Sequence, residues 1–183
     1  CKASISSSVD DIIKSSGLVL PGVGHFHDGM QNLEDLGLVQ AIQDVVLAKK
    51  VPILGICLGM QLMSIFGYEG GKRPGLNLLQ MECKDLVLED RSLRIPHIGW
   101  NSININTTSK LLKGIPNKSD FYFVHSYAVE TKDVSIISST SNYGKKFISS
   151  IESHNIFATQ FHPEKSQKYG KVLIKNFIDI IDS

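Results

Sequence analysis

The sequence predicts an α/β fold with an open, mostly parallel sheet flanked by helices and a β-rich second half. Two short apolar runs in the first third are each followed by a glycine-containing turn and a helical pattern, which is typical of parallel βα units. Short β-type runs separated by turns dominate residues 77–159, and an amphipathic pattern closes the chain. With no linker, repeat or low-complexity tract, we expect residues 1–183 to form one domain.

The composition excludes several classes of protein. The 183 residues carry a net charge of +1 and a hydrophobic fraction of 42%, so we expect one sizeable core and neither nucleic acid nor a membrane surface as a partner. No apolar run is long enough to span a bilayer, and the polar start does not resemble a secretory signal. The three cysteines, Cys1, Cys57 and Cys83, form no Cys-x-x-Cys pair. We therefore expect no disulfide framework or zinc knuckle and a reducing, cytoplasmic location.

Helices and strands are predicted to alternate in the first part of the chain. Asp28 is placed to cap one helix and Gly37 to end it. The predicted elements are, in order, residues 9–16 (short helix or loop), 17–20 (buried parallel strand), 21–24 (turn), 28–36 (helix), 38–49 (helix) and 51–56 (strand).

The second half is predicted to be mainly strands, followed by one long helix. The strand-like runs are residues 86–88, 102–105, 121–124, 128–130, 135–139, 147–151 and 157–160. The helix covers residues 166–181, and its apolar face consists of Tyr169, Val172, Leu173, Phe177 and Ile181.

A candidate nucleophile lies between the strand at 51–56 and a helix-like run at 58–66. The segment Gly55-Ile56-Cys57-Leu58-Gly59 is the cysteine version of a nucleophile elbow, because glycines two residues before and after Cys57 leave room for a tight turn. The helix start should favour the thiolate form of Cys57 through backbone N–H groups and the helix dipole. The alternative is an inert buried cysteine, which is the common fate of a single free cysteine.

A candidate base lies at the end of the last predicted strand. His162 follows the apolar run 157–161, at the sheet edge where open α/β proteins build their sites. Glu164, two residues on, would project on the same side and could orient the imidazole. The alternatives are a solvated histidine, or metal binding by His162 with Glu164 or by His25 with His27. Since no third ligand stands at a telling spacing, we expect no metal.

Two backbone N–H groups could form an oxyanion hole, which acyl transfer requires. One belongs to Leu58, directly after the nucleophile. The other lies in the loop Pro21-Gly22-Val23-Gly24, where glycines let the backbone approach a substrate. The alternative for that loop is an ordinary tight turn.

These motifs resemble those of the class I (triad) glutamine amidotransferases. The resemblance is carried by Gly-Ile-Cys-Leu-Gly-Met-Gln (55–61) and Gln-Phe-His-Pro-Glu-Lys-Ser (160–166). Three further segments resemble the glutaminase subunits of imidazole glycerol phosphate synthase, an enzyme of histidine biosynthesis: Pro-Gly-Val-Gly-His-Phe (21–26), Pro-His-Ile-Gly-Trp-Asn (96–101) and Tyr-Phe-Val-His-Ser-Tyr (122–127).

The resemblance implies a mechanism without a cofactor. Cys57 would attack the side-chain amide of glutamine, His162 would shuttle protons, and Glu164 would orient His162. Val23 and Leu58 would supply the oxyanion N–H groups, and water would hydrolyse the glutamyl thioester. By motif position, the residues that would bind glutamine are Gly22, Gly24, Gln61, Glu69, His125, Ser126 and Tyr127.

The resemblance also implies a partner. Ammonia would pass to a cyclase subunit with a (β/α)₈ barrel, in a heterodimer. The residues whose positions would face this subunit are Trp100, Asn101, Tyr122 and Lys165, although Trp100 and Tyr122 could instead be core residues.

The start of the chain departs from the family pattern. The family opens with a strand, a glycine turn and a helix, none of which is present here, and a βα unit of about thirty residues would fit the gap. We expect the sheet to have an open hydrophobic edge where that strand would lie.

Two other functions fit the motifs, namely a related amidotransferase that feeds another ammonia acceptor and a catalytically silent binding module.

Overall fold

The structure is a computed structural model that describes residues 2–88 and 92–183; Cys1 lies outside them. The helices are α1 (Val9–Lys14), α2 (Phe26–Asp35), α3 (Leu38–Gln43), α4 (Leu58–Leu62) and α5 (Gln167–Ile181), with a π-helical turn at Asp44–Ala48 and 3₁₀ turns at Val134–Ile136 and Pro163–Lys165. The strands are β1 (Leu18–Gly22), β2 (Ile53–Cys57), β3 (Phe66–Gly67), β4 (Arg73–Pro74), β5 (Met81–Asp85), β6 (His97–Ser102), β7 (Asn104–Ile105), β8 (Asp120–His125), β9 (Tyr127–Thr131), β10 (Ile137–Tyr143), β11 (Lys145–Ser153) and β12 (Ile156–Thr159).

The central sheet confirms the predicted α/β class. Within the described residues its strand order is β1-β2-β12-β11-β10-β7. Strands β1, β2 and β12 run parallel, and β11, β10 and β7 continue the sheet in antiparallel fashion. A four-stranded sheet (β4-β3-β5-β9) and a two-stranded sheet (β6-β8) pack beside it. The parallel pairing thus comes from the predicted βα half, and the antiparallel pairing comes from the β-rich half.

Two apolar cores lie on opposite faces of the central sheet. Along β2, Ile53 packs into a core with α2, α3 and α4, whereas Leu54 packs into a core with α5. Ile156 and Phe157 divide in the same way on β12. Because successive side chains of a strand point to opposite faces, continuous apolar runs are expected in strands that are covered on both sides. All five residues of β2 are buried.

Strand β1 lies at an edge of the sheet among the described residues. Its exposure alternates, and Val19 is 53% exposed. The prediction of a parallel strand here is confirmed, but the prediction that it is buried is wrong. Leu18 and Leu20 pack against one core, whereas Val19 points to the opposite face and stays exposed.

Some element boundaries differ from the predicted ones for identifiable reasons. Helix α2 begins at Phe26 after His25, so Asp28 lies in its first turn and does not cap it. Helix α4 ends at Leu62, well short of residue 66, because Leu76 N–H donates to its carbonyl (2.7 Å) and Ile65 N–H pairs with Met81. The residues at 86–88 are not a strand.

Strands β5 and β6 were not predicted from the sequence. In β5 only Met81 and Cys83 are buried, between charged neighbours that hide the alternation. In β6 the polar residues and Gly99 conceal the strand. In both cases pairing with β9 or β8 compensates for weak local β propensity.

Candidate active site

Cys57 stands at a strained turn between β2 and α4. Its backbone adopts φ 53°, which is uncommon for a residue with a side chain. A Cβ atom on Gly59 would lie 1.7 Å from the Leu20 carbonyl oxygen, and one on Gly55 would lie 2.8 Å from Met63 Cε. Both glycines are therefore required by close packing around the turn. The predicted elbow is confirmed, with a shorter helix behind it.

The sulfur of Cys57 is almost enclosed. The side chain is buried, its thiol donates to the Val124 carbonyl (3.7 Å), and Gln160 Nε2 donates to the sulfur (3.6 Å). Burial raises the pKa of the thiol to about 11. The hydrogen bond from the Leu58 backbone N–H lowers this pKa, as do the hydrogen bond from Gln160 and the charge of Lys165. The charge of Glu164 raises it further.

Because burial outweighs the donors, Cys57 is a neutral thiol at physiological pH. The helix start favours the thiolate as predicted, because the Leu58 N–H lowers the pKa of Cys57, but burial outweighs this effect. Helix α4 has only five residues, so its dipole is small. A nucleophilic role for Cys57 would therefore require a base that takes its proton.

His162 lies directly beyond β12, which runs parallel to β2 and pairs Thr159 with Ile56. The imidazole is buried, and its Nδ1 lies 2.7 Å from Glu164 Oε1. A carboxylate at that distance accepts a hydrogen bond from Nδ1–H, which leaves Nε2 as the basic nitrogen. Nε2 is buried and has no hydrogen-bond partner in the described part of the chain. This is the protonation state that a general base requires.

The predicted oxyanion loop lies beside the nucleophile. The register of β1 and β2 pairs Gly22 with Cys57. A Cβ on Gly22 would lie 3.1 Å from Leu58 Cβ, so a side chain there would crowd the residue that follows the nucleophile. Val23 is 74% exposed and Gly24 has φ +106°. The loop is thus exposed, and it follows directly on the residue that pairs with Cys57.

Gln61 and Glu69, predicted to bind substrate, both make contacts within the chain. Gln61 is buried on α4, and its Nε2 donates to Tyr127 O (3.0 Å) and Gln160 Oε1 (3.1 Å). Glu69 Oε2 accepts from Phe26 N–H (2.7 Å) and thereby caps α2 from a distant loop. Its Oε1 lies 3.5 Å from His25 Nε2, and the side chain is 14% exposed.

The segment from His125 to Tyr127 connects β8 to β9 close to the same residues. His125 Nδ1 lies 2.9 Å from Tyr127 O, and Ser126 O accepts from Leu86 N–H (2.9 Å). The Tyr127 carbonyl therefore accepts from both His125 and Gln61.

A second buried histidine extends this chain of hydrogen bonds. His125 Nε2 lies 3.0 Å from His97 Nδ1, and Asn101 Nδ2 lies 3.4 Å from His97 Nε2. Asn101 can only donate through Nδ2 and Tyr127 O can only accept, so each histidine is a neutral tautomer with its proton on Nδ1. Burial lowers the pKa of both histidines to about 4, in agreement with this assignment.

Three of the four predicted partner-facing residues form an exposed group. Trp100 pairs with Tyr122 across β6 and β8, with ring centroids 6.0 Å apart, and is 49% exposed. Lys165 Nζ lies 5.6 Å from the centre of the Tyr122 ring. Asn101 differs, because its amide bonds inward to Asn142 O (2.9 Å) as well as to His97.

The predicted set omitted two residues of this site, Gln160 and His97. Gln160 precedes His162 by two residues, so strand alternation could have placed it on the same side. The contact of His97 with His125 spans 28 positions and carries no sequence signal.

Of the alternative metal sites, none gains support: in residues 2–88 and 92–183 no three His, Cys, Asp or Glu side chains are arranged to hold a metal. Nor does that part of the chain include a helix of the length and apolarity needed to cross a membrane.

The comparisons with known proteins agree with one another. The family model "Glutamine amidotransferase class-I" matches residues 4–180. "Imidazole glycerol phosphate synthase subunit HisH 1" of Campylobacter jejuni (strain RM1221) is 50% identical over 174 residues, covering 95% of this chain and 86% of the relative. The HisH subunit of Moorella thermoacetica is 42% identical and covers 97% of this chain and 82% of the relative.

Solved structures support the fold. A crystal structure described as a glutamine amidotransferase superposes with a TM-score of 0.73 at 14% identity, covering 100% of this chain and 88% of that chain. A glutamine amidotransferase from Thermotoga maritima gives a TM-score of 0.60 at 20% identity, covering 91% of this chain and 64% of that chain.

Proposed function

Because the chain belongs to the class I glutamine amidotransferase family, and within it to the HisH subunits of imidazole glycerol phosphate synthase, we propose that it hydrolyses glutamine through a thioester on Cys57. One observation carries the proposal. A strained, buried thiol and a buried imidazole, oriented by Glu164, follow neighbouring parallel strands.

The reaction begins with proton transfer from the thiol to His162 Nε2 as the sulfur attacks the amide carbon of the glutamine side chain. The tetrahedral oxyanion accepts hydrogen bonds from the N–H groups of Leu58 and of the loop at Val23. The protonated imidazole then donates its proton to the departing nitrogen, and ammonia leaves. Water, deprotonated by His162, attacks the thioester, releasing glutamate and restoring the thiol.

The neutral thiol has a consequence for this chemistry. With a pKa of about 11, Cys57 is poorly nucleophilic without an adjacent base. Glu164 stabilises the imidazolium that forms when His162 takes the proton. The site is therefore unreactive until an acyl group is in place to accept the sulfur.

Glutamine binds between the oxyanion loop and the segment at His125–Tyr127. The carboxylate of Glu69 is the acidic group available for the substrate ammonium, and it already holds the N-terminus of α2. Gln61, together with Gly22, Gly24 and the backbone at Ser126, completes the cleft. Both polar side chains are fixed by internal hydrogen bonds before the substrate arrives, which lowers the entropy cost of binding.

The ammonia goes to a (β/α)₈-barrel cyclase subunit, which docks on the outer face of the β6–β8 pair. This face presents Ile98 (59% exposed) and Trp100, with Tyr122 and Val124 opposite them in the register. Exposed aromatic and aliphatic side chains flanked by a lysine are typical of a docking surface. The carbonyl of Val124 lies 3.7 Å from the sulfur, so the face is one strand away from where ammonia forms.

We place the reaction in the cytoplasm, since Cys57 and Cys83 are free thiols.

Substitution of the nucleophile tests this function. In the complex with the cyclase subunit, Cys57→Ala should abolish detectable glutamate release, a loss on the order of 10⁴-fold or more. Cys83→Ala is the matched control, because Cys83 is also a buried free thiol whose pKa is raised by burial. It should retain the parent kcat. Glutamate release by Cys57→Ala at the parental rate would refute the assignment.

A further inference from the structure

The amide of Gln160 contacts the reacting sulfur directly. Gln160 is fully buried, two residues before His162, and its Nε2 lies 3.6 Å from Cys57 Sγ. Its backbone N–H donates to Ser149 O (2.9 Å), which fixes the main chain at the end of β12. The mechanism above does not use this side chain.

Its orientation is set by a chain of hydrogen bonds that can run in only one direction. The Tyr127 carbonyl can only accept, so the group of Gln61 that faces it must be the NH₂ group. The second hydrogen of that NH₂ group is donated to Gln160 Oε1 (3.1 Å). The NH₂ group of Gln160 must therefore face the sulfur.

We propose that Gln160 is a further catalytic residue, whose amide N–H holds the Cys57 sulfur and stabilises the negative charge that develops there as the proton moves to His162. The inference rests on the proposed glutaminase reaction. A hydrogen bond to a charged atom is worth more than the same bond to a neutral one. The bond therefore strengthens between the resting thiol and the transition state, and this difference is what accelerates a reaction.

A neutral donor suits this position because the site also has to keep the thiol protonated at rest. The Leu58 N–H and Lys165 also favour the thiolate, whereas Glu164 disfavours it. The Val124 carbonyl accepts the hydrogen bond of the neutral thiol (3.7 Å) and so favours the protonated form. His125 is neutral, and Cys83 is a buried thiol. Gln160 adds a donor without adding a charge, so it lowers the pKa of Cys57 while burial still dominates.

The test replaces the donor while keeping the length of the side chain. Gln160→Met removes the N–H, and Gln160→Glu keeps the shape and the acceptor for Gln61 but places an acceptor next to the sulfur. Two quantities are measured in the complex with the cyclase subunit. One is the rate of Cys57 alkylation by iodoacetamide from about pH 7 to 10.5, a range that brackets the onset of thiolate formation, followed by mass spectrometry of the Cys57 peptide. The other is the kinetics of glutamate release.

In Gln160→Met, alkylation at a given pH should slow about tenfold, and the profile should move upward by about one pH unit. The kcat for glutamate release should fall about ten- to hundredfold, with KM within about threefold of the parent. Gln160→Glu should show a larger effect in the same direction. Gln40→Met is the control, because Gln40 is exposed on α3 and its side chain bonds to Asp44 within the same helical stretch; both quantities should equal the parental values.

The proposal is overturned if alkylation and kcat match the parent in a variant that melts within a few degrees of it. Gln160→Glu carries the test if Gln160→Met does not fold, since it is isosteric. The alkylation profile does not depend on turnover. If the parent itself failed to hydrolyse glutamine, the proposed function would fall, whereas the profile would still decide whether Gln160 stabilises the thiolate.

Discussion

Two buried histidines are hydrogen-bonded to each other rather than to a carboxylate. His97 and His125 lie in an aromatic cluster with Phe123, Tyr143 and Phe147, and the His97 ring stacks on Tyr143 with centroids 4.0 Å apart. A charge on either ring would break the one-way chain of hydrogen bonds that joins them to Tyr127 O. Both therefore remain neutral in the folded protein, and the energetic consequence appears at acidic pH.

Stability should fall as the pH drops below about 6.5. In the unfolded chain a histidine takes up a proton near that pH, whereas in the folded protein both stay neutral down to about 4. The unfolded state thus binds more protons in this window. The free energy of unfolding should decrease by up to about 1.4 kcal/mol per pH unit for each histidine. Urea unfolding at a series of pH values from about 7.5 to 4.5 measures this decrease.

The contribution of one ring can be isolated with a neutral replacement. His125→Gln should flatten the pH dependence even though its stability near neutral pH is lower. His154→Gln is the control, because His154 is exposed, and it should keep the parental slope. Equal slopes in the parent and in His125→Gln would show that His125 is not held neutral by the fold.

Among the elements, the elbow sets the position of the nucleophile, and it depends on glycine packing. Helix α4 crosses so close to β1 that a Cβ on Gly59 would overlap the Leu20 carbonyl. Backbone atoms cannot move aside as a flexible side chain can. Strand β1 also pairs with β2, which places Gly22 beside Cys57.

Gly59→Ala should therefore destabilise the protein by about 3 kcal/mol, the upper part of the range for overpacked sites. Urea unfolding measures it, and glutamate release should fall as the elbow is displaced. Gly29→Ala is the matched control. Gly29 lies inside α2, and the atoms nearest to its added Cβ would be the ends of the Leu62 and Leu58 side chains, at 3.1 Å and 3.2 Å.

For Gly29→Ala, better helix propensity offsets some crowding, so stability should stay within about 1 kcal/mol of the parent. If Gly59→Ala matched Gly29→Ala in stability, the close approach of α4 to β1 would not be what requires glycine at position 59.

The elements also show which parts of the site could be predicted from the sequence. The elbow was predictable because its chemistry is local: Gly55, Cys57 and Gly59 determine the turn within five positions. His162 and Glu164 were predictable because they follow a strand directly. The contact of Gln160 with the sulfur spans 103 positions, and the contact of the thiol with the Val124 carbonyl on β8 spans 67. The sequence carried no signal for the contact with Val124, and for Gln160 it offered only the two-residue spacing from His162.

At the scale of the whole molecule, the sheet brings together residues from distant parts of the chain. The ends of β1, β2 and β12 meet at one edge, and β8 covers the sulfur from the side. The outer side of β8 and β6 carries the exposed group around Trp100 and Tyr122. The His162 N–H donates to Tyr122 O (2.9 Å). A partner bound to this face would thus contact the strand that holds both the base and the nucleophile.

The most direct test is to measure glutamate release from glutamine with and without the proposed cyclase subunit, in the presence and absence of that subunit's own substrate. We predict weak hydrolysis alone and activation by both additions together of about tenfold or more, within the range of typical coupling energies. Steady hydrolysis that is indifferent to the cyclase would contradict the proposed partner and indicate another ammonia acceptor. No hydrolysis in any mixture would contradict the glutaminase function itself and leave a binding module with the amidotransferase fold.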